Sequence, residues 1–526
     1  MMPIPVARVD SETQMQAIKR NAKKERSKIH NFPSKSQEIG GSMKGFEEDL
    51  KEYDIMEDMK SHDLVLIKKN AQISNRYDKK GELRSRFGDI SFNQSRSIFD
   101  SSIMDTSFRG FFILAWMAVG MLALKTLVEY ERNNTRIYTS NIIRIMRKDL
   151  IKVGFADLLM YLSMYATFFL QKLIKNGYLD WDNTGMYLQH IYQCSFLFFW
   201  LLTAKRMEFP WIGKIFLLLH SLVMLMKMHS YAFYNGYLFK IQKELEFSQR
   251  HLKNKKQKLD KETSAALQKS VEFCKFELAS QSTTSPFPSN VNLKNWFWYT
   301  MYPTVVYEID YPLTNEIRWE YVGTKMLGIF GVIFLMILVA ESWLYPLALE
   351  AIQLRKLPVS QRVSPYIFIL LEMAPPFLLM YMLVFYLIWE LILNAVAELT
   401  GFADRSFYSE WWNSVSWDEF ARDWNLPVHR FLLRHVYHSS ISAFQLSRYN
   451  ATLFTFLLSS FVHELTMYVI FGKFRGYLLY FQMAQIPLTY LSRTKFMADR
   501  KILGNSIFWL GISTGPSLLC SLYLVF

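Results

Sequence analysis

An imidazole and a carboxylate, His463 and Glu464, stand in the middle of an otherwise apolar run from Ala451 to Phe471 (ATLFTFLLSSFVHELTMYVIF). The run is long enough to cross a hydrocarbon layer about 30 Å thick. An ionisable side chain at that depth opposes insertion and is a functional site by default. A neutral imidazole, with an ordinary pKa of about 6.5, suits general-base work. The pair also invites a zinc reading through His-Glu-x-x-His, but position 467 is Met and the second ligand is missing. Help would have to come from His429, His435 or His438, and no metal is expected. The plainer alternative for His463 is a hydrogen bond inside the protein, to Ser459 or Ser460 on the preceding turn.

A second concentration of chemistry is the run Phe407-Tyr408-Ser409-Glu410-Trp411-Trp412-Asn413, followed by Trp417, Trp424, Phe431 and Tyr437. Indole and phenol rings favour the membrane interface. His429, Arg430, Arg434, His435 and His438 add cations to the same stretch. They suit the phosphates of a soluble cosubstrate or, more plainly, lipid headgroups. Glu390, Asn394 and Glu398 recur every fourth residue and make one polar stripe on an apolar helix. Such a stripe is expensive against lipid, so it faces protein or a water-filled chamber. Cys194, Cys274 and Cys520 have neither a metal-type spacing nor an even count, which argues against a thiol role.

The elements that must position these groups are membrane helices. The 526 residues are 51% hydrophobic, with 42 Phe, 29 Tyr and 14 Trp, yet the mean hydropathy is barely above zero. The chain is therefore divided between lipid and water. Apolar windows of spanning length fall at about 111–128, 153–172, 187–204, 210–232, 324–346, 366–398, 451–471, 477–495 and 506–526. Pro375-Pro376 is expected to break or kink the long run 366–398. Residues 1–107 read as a disordered basic cytosolic tail, whose removal to about residue 100 should leave the chemistry unchanged. The connector at about 240–290 carries interleaved Lys and Glu and reads as a solvated helix closed by a Ser- and Pro-rich run. No signal peptide precedes the first span. The formal charge of +14 lies in loops beside apolar spans, where anionic lipid accounts for it, and no nucleic-acid motif accompanies it.

In order and spacing, FYSEWWN, then Trp424-Asn425-Leu426-Pro427-Val428-His429, then Leu433-Arg434-His435-Val436-Tyr437, then Phe461-Val462-His463-Glu464-Leu465 resemble the membrane-bound O-acyltransferase superfamily. The sterol and diacylglycerol acyltransferase branch is the match, with fungal sterol acyltransferases nearest in wording from Phe402 onward. Lys227-Met228-His229-Ser230-Tyr231 and Phe402-Ala403-Asp404-Arg405 agree with it. The resemblance covers residues 108–526 and implies an all-α fold of about nine transmembrane helices. It further implies an endoplasmic reticulum enzyme with its N-terminus in the cytosol, dimeric or of higher order, with a reaction chamber inside the bilayer. By resemblance, His463 is the catalytic base and Asn413 works beside it. The acyl-CoA set is Phe407, Tyr408, Trp411, Trp412 and Asn413, joined by His429, Arg434 and Ser459. Glu410 departs from the family pattern, which usually has Asp there.

A fatty acyl thioester is already activated, so the reaction needs no covalent acyl-enzyme, and no convincing nucleophilic Cys or Ser-His-Asp set is present. What it needs is a base for a weakly acidic sterol hydroxyl and a donor for the oxyanion. The expected partners are acyl-CoA, as cosubstrate and with no other cofactor, a sterol, membrane lipid and a second copy of the chain. The nearest rival activity is diacylglycerol O-acylation. A rival of another class is a lipid transporter using His463, Glu390 and Glu398 as a polar path, against which the chain lacks internal repeats.

Overall fold

Backbone groups in hydrocarbon have no water to bond to, so apolar runs of this length fold as helices. The computed structural model describes residues 67, 76–77, 81–88, 90–107, 109–133, 139–254 and 260–526. Among these residues the regular structure is helical, and β-pairing is limited to the isolated bridges Tyr77 with Leu83 and Leu313 with Phe402. The long helices are α1 (Arg109–Arg132), α2 (Leu150–Lys175), α3 (Met186–Arg206), α4 (Trp211–Lys253), α5 (Lys261–Ser280), α6 (Trp319–Lys356), α7 (Val359–Thr400), α8 (Arg448–Phe471) and α9 (Lys501–Val525). Seven of the described helices are long and apolar enough to cross a membrane, namely all of these but α3 and α5. The two remaining apolar windows are helical but fall short of that standard. They form α3 and the broken pair Tyr477–Met483 and Gln485–Ser492.

Helix α1 shows how the bundle meets lipid. Phe111, Leu114, Met117, Met121 and Leu124 all point outward, and Thr126 is its one buried residue. A patch of that kind is untenable in water and ordinary in a bilayer. Helix α4 is the opposite case and runs through the protein centre. Leu217, Leu218, Met224, Met228, Tyr231, Tyr234 and Leu238 are buried along it. Its polar end pairs with α5, capped by Asp260, so the expected solvated connector is one arm of a helical hairpin. Buried Ser248 and Ser270 bond to each other at 3.1 Å across that hairpin, and Ser270 bonds to Glu244 at 2.7 Å.

Two expectations change. Pro375 and Pro376 do not end α7, whose first α segment continues to Phe385 before a π-helical stretch at Tyr386–Ile392. In apolar surroundings a broken helix would leave more backbone groups unpaired than the two prolines do, so the helix persists. Part of the stretch expected to be a disordered tail is packed, although residues 1–66 of it lie outside the described residues. Arg76 makes two bonds to Glu244, at 2.8 and 2.9 Å. Phe87 stacks on Tyr234 at 4.4 Å between ring centroids. Ser95 bonds to Asp404 at 3.2 Å, Ser97 to Glu390 at 2.5 Å, and Asp100 pairs with Lys325 at 3.2 Å. These are side-chain contacts, to which a count of apolar residues is blind.

Candidate active site

Helix α8 starts at a Ser447 cap and places His463 four turns in. The His463 side chain is exposed on α8. Its Nδ1 lies 2.7 Å from the carbonyl oxygen of Ser459, one turn back. A carbonyl oxygen only accepts, so Nδ1 carries the proton and Nε2 keeps its lone pair. Ser459 thus acts through its backbone, fixing tautomer and ring orientation, while buried Ser460 bonds to the Phe456 carbonyl.

Glu464 is the next residue and has a different surrounding. It is fully buried, and its carboxylate accepts from the backbone N–H of Gly476 at 2.7 Å, Leu479 at 3.2 Å and Arg475 at 3.3 Å. The Tyr523 hydroxyl adds 2.6 and 2.7 Å contacts from α9. The carboxylate is committed to these donors, so the second feature of the zinc pattern is occupied as well.

The signature segment forms an aromatic nest. A 3₁₀ turn at Trp411–Asn413 and a helix at Trp417–Asp423 fold back on each other, and the Ser409 N–H bonds to the Asp423 carbonyl at 2.8 Å. Trp411 has no exposed surface and meets Phe385, Trp424 and Trp509 at centroid distances of 5.0, 5.1 and 5.9 Å. Trp424 stacks on Tyr381 at 4.9 Å. Gly511 has no Cβ, which lets the Trp417 ring lie against α9; a methyl there would sit 2.6 Å from the indole. Phe407 and Tyr408 are buried too, and the Tyr408 hydroxyl donates to Glu390 at 2.8 Å. Trp412 is half-buried, with its carbonyl taken by Asn505 and Trp509. Asn413 is exposed and its amide donates to Glu410 at 3.2 Å. Among the described residues no hydrogen bond joins the 411–413 turn to α8. The piece of this region that packs on α8 is the π-helical stretch Leu432–Tyr437, which continues the helix Leu426–Phe431.

The polar stripe faces protein. Glu390 receives Lys325 at 2.5 Å together with Ser97 and Tyr408, and Glu398 receives Arg318 and Arg405. The expected phosphate ligands are mostly engaged elsewhere. Arg434 is buried, paired with Glu308 at 2.6 Å and donating to the Tyr307 and Phe87 carbonyls. Arg430 bonds to Asp404. Burial, with His229 and Arg434 alongside, holds the His435 imidazole well below its usual pKa, and its Nε2 lies 2.8 Å from the Ser230 hydroxyl. Burial and the charges of Arg422 and Arg430 also lower the pKa of His429. Neutral imidazoles are poor standing cations for a phosphate. Asn425, part of the resembling run but given no role there, caps the helix at Leu426, its Oδ1 accepting from the Val428 N–H at 3.2 Å. Its amide nitrogen has no partner among the described residues. Its visible signal was the Trp-Asn-x-Pro pattern ahead of a short helix.

Fold and site together define a polytopic helical membrane protein whose α8 carries an exposed imidazole with a fixed tautomer. Comparison makes the class specific. The family model described as the membrane-bound O-acyltransferase family matches residues 149–525, and the chain belongs to that family. It is 48% identical over 514 residues to sterol O-acyltransferase 2 of Candida albicans, covering 90% of this chain and 84% of that relative. It is 50% identical over 436 residues to sterol O-acyltransferase 2 of Saccharomyces cerevisiae, covering 81% and 68% of the two chains. Diacylglycerol O-acyltransferase 1 of Dictyostelium discoideum is 31% identical over 46% of this chain and 38% of its own length.

Proposed function

We propose that this multi-pass membrane protein is a sterol O-acyltransferase that transfers a long-chain acyl group from acyl-CoA to the 3β-hydroxyl of a sterol. The observation that carries the chemistry is the exposed His463 imidazole, with Nδ1 bonded to the Ser459 carbonyl and Nε2 left with its lone pair. The relatives named above, alike over most of the chain, support the acceptor, since the diacylglycerol enzyme is similar over less than half of it. In the proposed reaction Nε2 takes the sterol hydroxyl proton as the oxygen bonds to the thioester carbonyl carbon. The tetrahedral oxyanion collapses, the carbon–sulfur bond breaks, and the CoA thiolate takes the proton back from the imidazolium. Steryl ester and CoA leave.

The oxyanion needs a donor. Asn413 fills that role only if its turn reaches α8, and its amide is bonded to Glu410. Asn425 has an amide nitrogen without a partner among the described residues and caps the helix Leu426–Phe431, which continues into the stretch Leu432–Tyr437 packed on α8, and this favours it. The aromatic residues Phe407, Tyr408 and Trp411 serve the cosubstrate by holding the walls of the site. Residence in the endoplasmic reticulum, a cytosolic N-terminus and a homodimer or larger assembly complete the proposal on the strength of the family resemblance.

The test is acyl transfer by purified wild-type and His463→Ala protein, given oleoyl-CoA with a 3β-hydroxysterol and diacylglycerol together. Steryl ester made by wild type alone supports the reading. Triacylglycerol as the product keeps the base and overturns the acceptor, and consumption of neither overturns both.

A further inference from the structure

We propose that Glu464 is a positioning residue for catalysis, and that with Tyr523 it sets the rotation of α8 and hence the aim of His463. The proposal rests on the reading of His463 as the base. Adjacent residues of an α-helix project about 100° apart, so the two side chains of this pair face different surroundings. One is exposed; the other is locked. The Glu464 carboxylate spans the N-terminus of the helix Tyr477–Met483, whose preceding Gly476 adopts φ 77°, a conformation open to glycine. A carboxylate on backbone N–H groups at a helix start is a strong, charge-assisted set.

Tyr523 is itself held. Its ring stacks on Phe471 of α8 at 5.2 Å, and its carbonyl accepts from Arg355 at 2.5 Å. Arg362 bonds to the Val525 carbonyl at 3.1 Å, and Phe526 packs on Tyr366 at 5.4 Å. The end of α6 and the start of α7 thus fix α9, α9 presents Tyr523, and Tyr523 together with Gly476 fixes Glu464. Neither oxygen of Glu464 is bonded to the imidazole, so its effect runs through helix rotation and not through a shared proton. With Cα atoms about 2.3 Å from the axis, the far imidazole nitrogen lies about 6 Å out, and a turn of about 10° displaces it by about 1 Å. A misplacement of that size costs on the order of 100-fold in rate.

The experiment measures steryl ester turnover and thermal unfolding of wild type, Glu464→Gln, Glu464→Asp, Tyr523→Phe and the double variant Glu464→Gln/Tyr523→Phe in detergent. The expected result for Glu464→Gln is kcat lower by about 100-fold with KM for acyl-CoA within about twofold. Tyr523→Phe is expected to lose about tenfold, Glu464→Asp to recover part of the activity, and the double variant to match Glu464→Gln alone. The acid limb of the pH–rate profile should not move. Folded Glu464→Gln and Tyr523→Phe proteins with wild-type kcat would overturn the proposal, as would additive losses or an acid limb displaced by a unit or more. If Glu464→Gln fails to fold, Tyr523→Phe alone decides by the same kcat criterion. Wild type inactive on sterol would instead sink the functional reading, so the two failures are separable.

Discussion

The signature segment 402–424 and helix α8 are the two regions the sequence marks for function, and the structure treats them in opposite ways. The segment is dense in aromatic rings, and the rings at its start are inside: Phe407, Tyr408 and Trp411 are core residues. Helix α8 carries a single imidazole, and that side chain is exposed. On the proposed reading, conspicuous composition marks the scaffold, while chemistry sits on an apolar helix at one position. The reason is physical. Rings give large buried area and specific packing per residue, which a loop needs in order to hold a shape inside a bundle. A base needs a lone pair, a fixed tautomer and an open face.

Breaking the active side should have the largest effect. His463→Ala is expected to lower turnover by about 10³-fold or more without moving the unfolding midpoint, read by product chromatography and by fluorescence in parallel. Breaking the scaffold side should give the reverse pattern. Trp411→Ala removes an indole with no exposed surface and is expected to cost about 3–5 kcal/mol of stability, with activity lost through unfolding. A Trp411→Ala protein as stable as wild type but weak in acyl-CoA binding would move that ring from wall to ligand contact.

The packed stretch ahead of α1 sharpens the comparison, because it meets the signature segment at one buried carboxylate. Glu390 holds Ser97, Lys325 and Tyr408 together. Removing residues 1–75 spares these contacts and should leave turnover near wild type, whereas removing 1–107 strips Phe87, Ser95, Ser97 and Asp100 from their partners. Ser97→Ala alone should cost about 1–3 kcal/mol of stability by leaving a buried carboxylate short of a donor. Equal activity of both truncations would show that the packed stretch is dispensable.

Legibility in the sequence followed the range of the interaction. The nine apolar windows fall on helices because hydropathy is a local property and lipid enforces the helix. His463 was legible for the same reason, as an ionisable group in a run that should have none. The partners of Arg434 were not: Glu308, Tyr307 and Phe87 lie far away in the chain, so a cation that reads as a phosphate ligand is a buried brace. The described part of the tail was misjudged likewise, since the contacts of Arg76, Ser95 and Ser97 are with residues 150 or more positions later. The Glu390, Asn394 and Glu398 stripe was correctly placed against protein, although its partners were invisible.

The smallest expected effect separates two amides that look alike in sequence. Asn413 and Asn425 both follow a tryptophan in the signature region. Asn413 is exposed, donates to Glu410, and lies on a turn that the carbonyls of Trp412 and Ser414 tie to α9 through Asn505. Asn425 opens the helical stretch that runs onto α8. If oxyanion stabilisation comes from the side that touches α8, Asn413→Ala should change kcat by less than about threefold. Loss of an oxyanion donor at Asn425 should cost about 100-fold in kcat, the size typical of removing one such group. Asn425→Ser, which keeps a helix cap, distinguishes that loss from a frayed helix. A large kcat loss at Asn413 with none at Asn425 would place the reacting carbonyl beside the 411–413 turn and bring the signature segment back from scaffold to chemistry.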